Sequence, residues 1–456
     1  MHAHRPFGPF LSILCFALGL VSALASNAAA QFQFAGPGQL PAIDAKVQAA
    51  VIDSVTAALK ESYVFGDKAA GMDSLLRANL ASGAYRALTD PAEFMMQLQS
   101  DVAKIYLDRH MAMAALPPGS IPKEQPEADP FNAAAQREAA RRGNYGFREI
   151  EILPGNIGYL KLDQFAGTDL GGATAAGAMA VLANVDALII DLRDNPGGNA
   201  SMIQMLTGYL FEEPAHLIDW YHRRENETMQ SWSSSYVPGK TLFNVPVYVL
   251  ASGRTGSAAE EFTFDLKNQK RATIVGETTG GAAHTVEFHT FDVGPFIAAL
   301  KLPSGRALDP VTKTNWEAVG VEPDIAVSEA KALTTAQLEA MKKLEESAKD
   351  EGAKKAMAWA RAGLESELNP YTLPAKALKE CVGTFGPRTF FVEGSKLIYQ
   401  REGRPKMALV PMSKDLFALD GVAYFRVRFT RGTSGAVDGI VAMYDDGHEE
   451  RNPKSK

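Results

Sequence analysis

Between Ile150 and Val327, four short apolar runs alternate with stretches of helical spacing, and that alternation limits the possible folds more than any other feature. The runs are Ile157–Leu162, Ala187–Leu192, Val245–Leu250 and Ala272–Val275. Each is nearly continuously apolar, as a strand covered on both faces must be. The helical segments Gly171–Asn184, Ala200–Phe211 and Ala258–Asn268 lie between them and supply the covering layers. The expected fold class is α/β, a layered core around a largely parallel sheet.

The flanks read differently. Arg5, the apolar run Phe10–Val21 and the small-residue sites Ala23-Leu24-Ala25 and Ala28-Ala29-Ala30 fit a secretory signal peptide over residues 1–30. Residues 41–116 carry helical stripes, Val47, Val51, Val55 and Leu59 in one and Phe94, Leu98 and Val102 in another. Prolines at 117, 118, 122, 126 and 130 mark 117–149 as a linker, after which 150–330 forms the core. Residues 331–369 are expected to be a charged, solvated linking helix opened by a Thr334/Gln337 capping box. From 370 to 456, runs such as Phe390–Gly394, Leu397–Gln400 and Phe425–Phe429 suggest a small antiparallel β domain.

Composition narrows the function classes. A formal charge of −7 offers no basic face for nucleic acid and no polybasic anchor. Past the signal, no stretch approaches the roughly 20 apolar residues of a membrane span. Of the two cysteines, Cys15 falls in the signal and only Cys381 remains, so no intramolecular disulfide is expected. The expected location is periplasmic or secreted.

Ser257 holds the chemical interest. It follows the run Val245–Ala251 and opens the segment Ala258–Asn268, where a serine lies at the positive end of a helix beside bare backbone amides. Ser257-Ala258-Ala259-Glu260 also matches a capping box, and by its own surroundings the serine fits a cap better than a nucleophile. A second turn, Asp191-Leu192-Arg193-Asp194-Asn195-Pro196-Gly197-Gly198-Asn199, closes another run at the sheet edge where α/β folds bind ligands. Its paired glycines can offer an N–H to an oxyanion, or can simply make a tight turn. A base must accompany the serine, and six histidines follow the signal: His110, His216, His222, His284, His289 and His448. His284 and His289 fall on opposite faces of one expected strand, where they could line a substrate site but make a poor metal pair, so no metal is expected, and a serine hydrolase would need no cofactor.

In order and spacing, these segments resemble the superfamily of C-terminal processing peptidases, the tricorn protease core and the interphotoreceptor retinoid-binding protein. The residues that carry the resemblance are Gly158–Leu162, Asp191–Gly198, Ser257–Glu260, Val275–Gly281 and Gly320–Asp324. It implies a ClpP/crotonase-like layered core, Ser257 as nucleophile, and an oxyanion hole from Ala258 and the Gly197-Gly198 turn. Processing peptidases of the Ser-Lys type place their lysine about where Ala282 stands, so the resemblance points to the tricorn-like arrangement, with His110 as base and Glu317 as its orienting acid. The serine that precedes the histidine in that pattern is Arg109 here, so Glu317 either contacts His110 directly or the relay is altered. The stretch between His110 and Gly155 is too short for the PDZ domain that processing peptidases insert, which matches the retinoid-binding-protein-like branch. The implied activity is an exported serine peptidase acting on peptides or proteins. The alternative is a weakly active or inactive member of the same fold that binds an apolar ligand or peptide.

Overall fold

The computed structural model of the chain describes residues 39–108, 110–120 and 130–455. Residues 1–30, expected to be a signal, lie outside them, as does Arg109.

Helices α1 (Ala45–Ser62), α2 (Gly66–Ser82) and α3 (Pro91–Ile105) form the N-terminal layer. Asp44 caps α1 by accepting from Val47 N–H, and Asp90 caps α3 ahead of Pro91 at its first position. Their stripes meet: Val51, Val55 and Leu59 pack with Phe94, Leu98 and Val102 in one cluster. That cluster also takes in Met113, Ala298, Leu300 and Leu302, because the helices rest on a sheet.

That sheet has five strands: β1 (Ala112–Leu116), β5 (His216–His222), β6 (Glu227–Trp232), β9 (His284–Asp292) and β10 (Ile297–Leu308). All its pairings are antiparallel, in the order β1-β10-β5-β6, with β9 pairing on β10.

The core sheet has six strands, in the order β11-β8-β7-β4-β3-β2. They are β2 (Phe147–Leu153), β3 (Ile157–Leu162), β4 (Ala187–Asp191), β7 (Val247–Ala251), β8 (Ala272–Gly276) and β11 (Ile325–Ala326). Only β2 runs antiparallel to its neighbour. Helices α5 (Thr168–Val181), α6 (Ala200–Gly208) and α7 (Ala258–Asn268) cover one face, where Leu160, Leu188, Ile190, Val249 and Ile274 point. Ile157, Tyr159, Ile189, Tyr248 and Leu250 point the other way, by the period of two that strands impose. Helix α4 (Pro130–Arg142) leads into β2, so the proline-rich stretch is only partly a linker.

The second face corrects an expectation. Residues 331–369 do not form one solvated helix but parts of two, α8 (Glu329–Ser347) and α9 (Glu351–Leu368), broken at Ala348–Asp350. Ala332, Ala336, Ala340 and Met341 of α8 are buried against Tyr159 and Tyr248, where small side chains let the helix lie close to the sheet. Ser328 occupies the N-cap position, and Thr334, inside the helix, donates to Glu367 instead.

After α10 (Ala375–Glu380), eight antiparallel strands follow in sequence order: β12 (Gly383–Phe385), β13 (Arg388–Glu393), β14 (Lys396–Arg401), β15 (Lys406–Pro411), β16 (Leu416–Leu419), β17 (Val422–Arg431), β18 (Val437–Tyr444) and β19 (Glu449–Pro453). A bridge from Phe385 to Lys454 nearly closes them into a barrel around Phe385, Phe390, Phe417 and Phe429. Among the described residues, no helix is long and apolar enough to cross a membrane.

Candidate active site

The turn from β7 into α7 is fastened to the end of β4. Thr255 Oγ1 donates to the Leu192 carbonyl (2.8 Å) and Ser252 Oγ to the Arg193 carbonyl (2.6 Å). At its end Ser257 adopts φ +50°, ψ −120°, a backbone state that costs a residue with a side chain about 1–3 kcal/mol. The serine is exposed while Gly256 and Ala258 beside it are buried. Glu260 holds this geometry. Its buried carboxylate accepts from Ser257 N (2.9 Å), Gly281 N (2.6 Å), Ala282 N (2.9 Å) and Thr279 Oγ1 (2.5 Å). Burial raises the Glu260 carboxyl's pKa, and these donors pull it part of the way back. The N–H of Glu260 goes to the Ser257 carbonyl oxygen (2.8 Å).

The β4–α6 turn abuts this serine. A Cβ on Gly197 (φ +116°) would stand 2.8 Å from Ser257 Cβ and 3.0 Å from Ala258 N. A Cβ on Gly198 (φ +146°) would stand 2.1 Å from the Phe165 carbonyl oxygen. Both positions therefore require glycine. Buried Asn195 ties the two turns together: its carbonyl accepts from Gly256 N (3.0 Å), its Nδ2 donates to the Leu162 carbonyl (2.8 Å), and its Oδ1 accepts from Gly197 N (2.9 Å). The Gly197 amide is thus occupied. The amides of Gly198 and Ala258 have no acceptor among the described residues.

The residues expected to be acid and base come from distant segments. Glu317 follows buried Trp316, whose Nε1 donates to the Ala282 carbonyl (3.1 Å), and precedes Ala318 at φ +65°. Glu317 Oε2 accepts from Ala283 N (2.6 Å) and lies 3.4 Å from His110 Nδ1. Residues 281–283 therefore run from the carboxylate that holds Ser257 to the carboxylate that faces His110. His284 continues this segment. Its side chain is fully buried, its Nδ1 lies 2.8 Å from Asp108 Oδ2 and 3.7 Å from Glu317 Oε2, and its ring packs edge-on to Phe65. Tyr63 donates to the same Asp108 oxygen (3.3 Å), and burial beside Asp108 holds its phenol far above the usual tyrosine range.

Ser257, Ala258, Gly197 and Gly198 thus lie together, and His110 lies beside Glu317. The capping contact from Glu260 to the Ser257 amide is the one the sequence suggests, whereas the sequence assigns no role to Asp108 and does not place His284 beside it. Asp108 stands two positions before His110, a spacing that could have drawn notice. His284 had been set against His289, which instead faces Glu287 (3.3 Å) and stacks on Phe291.

Residues 156–327 match the family model described as Peptidase family S41, and residues 40–142 match the one described as the N-terminal domain of Peptidase_S41 in eukaryotic IRBP. A carboxy-terminal-processing protease of Bartonella bacilliformis is 26% identical over 181 residues, covering 39% of this chain and 40% of that protein. A carboxyl-terminal-processing protease of Synechocystis is 32% identical over 127 residues, 28% of each chain. The chain therefore spans well under two thirds of the length of these relatives. The solved tricorn protease aligns at 11% identity with a TM-score of 0.38, over 66% of this chain and 37% of that one.

Proposed function

Because the chain belongs to peptidase family S41 in both its N-terminal region and its core, we propose that it is an exported serine peptidase with Ser257 as nucleophile, His110 as base and Glu317 as orienting acid. The observation that carries this reading is the strained, exposed Ser257, held by Glu260 against the glycine turn and joined through residues 281–283 to a buried carboxylate facing His110.

In the proposed reaction Ser257 Oγ attacks the peptide carbonyl while His110 Nε2 accepts the hydroxyl proton. Glu317 Oε2, 3.4 Å from Nδ1, closes on the ring as the imidazolium forms and stabilises its charge. The oxyanion is held by the amides of Ala258 and Gly198, since Asn195 already occupies that of Gly197. His110 passes its proton to the leaving amine, which departs. Water activated by the same imidazole then hydrolyses the acyl-enzyme. Substrates are peptides or proteins, and the location is periplasmic or secreted, as the apolar N-terminal segment suggests.

Fluorophosphonate labelling tests the reading. Wild type labels at Ser257, Ser257→Ala does not, and His110→Ala labels far more slowly. Equal labelling of folded wild type and Ser257→Ala, with no peptidase turnover, would end the hydrolase assignment in favour of a binding protein on the same fold.

A further inference from the structure

Asp108, His110, His284 and Glu317 each offer one donor atom, and the four atoms lie within 4.8 Å of one another. We propose that these side chains form a binding site for a divalent transition ion of the zinc class, and that its occupation switches off the base. The inhibitory half rests on the peptidase reading; the binding half does not.

Three observations support it. The first is spacing. Zinc–nitrogen and zinc–oxygen bonds of about 2.0–2.1 Å set tetrahedral donor–donor edges of roughly 3.3–3.4 Å. The edges here are 2.8 Å (His284 Nδ1 to Asp108 Oδ2), 3.4 Å (His110 Nδ1 to Glu317 Oε2) and 3.7 Å (His284 Nδ1 to Glu317 Oε2). These three of the six edges bracket the tetrahedral edge, and because no donor pair exceeds 4.8 Å, side-chain shifts of about an ångström would close the site. The second is unmet bonding capacity. His110 Nδ1, the atom that faces the cluster, is buried with no hydrogen-bond partner. Orphaned polar atoms of this kind are rare in a native interior and call for a missing partner. The third is the donor set: two imidazoles and two carboxylates suit zinc, and two negative charges balance a divalent ion. No local pattern announces the site, because His284 finds its partner 176 positions upstream at Asp108.

The consequence for catalysis follows from imidazole chemistry. A neutral imidazole has one ring lone pair to give. Once His110 Nδ1 gives it to the metal, the ring proton sits on Nε2, which can no longer accept the Ser257 proton. Binding likewise displaces the Nδ1 proton of His284 to solvent or to its Nε2. The ion is therefore an inhibitor, removable by chelation, in an enzyme whose nucleophile is not a ligand.

The test uses untagged full-length protein stripped of metal by chelation. Calorimetric titration with Zn²⁺ and absorbance with Co²⁺ should both show one site per chain, the cobalt spectrum having the intense visible bands of a four-coordinate ion. Ser257→Ala should bind as wild type does. His284→Gln and His110→Ala should each weaken binding at least tenfold, and the second, at a less buried position, guards against loss of fold in the first. No binding, or binding unchanged in both histidine variants, overturns the site. Zn²⁺ that binds yet leaves Ser257-dependent turnover intact overturns the switch. If the protein has no turnover at all, the peptidase reading fails and the titrations still decide the site.

Discussion

Glu317, the proposed orienting acid, also has a structural task. Its Oε2 accepts from the Ala283 amide and faces His110, so the group that fixes the chain path is also the one set to orient the ring in the proposed reaction. Replacing it by glutamine keeps the volume but offers an amide that can present its NH₂ to Nδ1 and stabilise the wrong tautomer. Glu317→Gln should therefore cut kcat by a factor on the order of 10²–10⁴ with little change in KM; unaltered kcat would place Glu317 outside the machinery. Gly198→Ala should be worse than a simple loss of activity, since its Cβ would collide with the Phe165 carbonyl. Lower thermal stability together with loss of labelling is expected there, and a stable, active variant would refute the packing argument. At this scale the strand end, helix start and tight turn that carry Ser257 and the paired glycines were legible because those signals are local, whereas their catalytic reading rests on the family resemblance. Asp108 and His284 were not, because no local pattern announces a contact across 176 positions. The engagement of the Gly197 amide by Asn195 likewise depends on one side-chain rotamer, which spacing cannot give.

At the scale of elements, α7 carries an internal conflict. The helix that presents Ser257 at its first turn buries Glu261 and Asp265 four positions apart on one stretch of its surface. Desolvation pushes Glu261 up to about 8, and Asp265 is driven well above the carboxylate range by burial and by the charges of Glu261 and Asp309. Both acids are thus held neutral in the fold near neutral pH, whereas in the unfolded chain they ionise near pH 4. Between those values the folded state binds more protons than the unfolded one. Glu261 therefore makes stability fall as pH rises from about 4 to about 8, by an amount on the order of a few kcal/mol, and Asp265 acts in the same direction. Glu261→Gln removes part of that slope. Its Tm should exceed that of wild type at pH 8 and differ little at pH 5; an equal difference at both values would show that Glu261 does not titrate in this window. The strands and helices around α7 were readable because apolar runs and helical spacing are local signals. The antiparallel sheet of β1, β5, β6, β9 and β10 was largely missed. Strand β10 finds β1 about 190 positions away and β5 about 85 away, and its pattern of small, polar and apolar residues carries no clean period.

In the whole molecule, helices α8 and α9 lie between the six-stranded core sheet and the C-terminal near-barrel. Helix α8 belongs to the core through Ala332, Ala336 and Ala340, while the near-barrel has a separate core of its own around Phe385, Phe390 and Phe429. The link between them is narrow and chemically specific. The Arg426 guanidinium lies 3.9 Å from the centre of the Trp359 ring on α9 and donates to the Trp359 carbonyl (2.5 Å), while Trp359 Nε1 donates to the Ala423 carbonyl (2.8 Å). A cation–π contact of this kind contributes about 0.5–2 kcal/mol, and the two hydrogen bonds about as much again. That is enough to dock two folded units but not to stabilise either one. Trp359→Ala should therefore loosen the docking without unfolding the parts. Limited proteolysis of the variant should cut within residues 369–374, between α9 and α10, faster than in wild type, while Ser257 keeps its fluorophosphonate labelling. Labelling lost in step with cleavage would mean that the near-barrel supports the catalytic face, and docking at Trp359 would then be part of how this chain builds its active site.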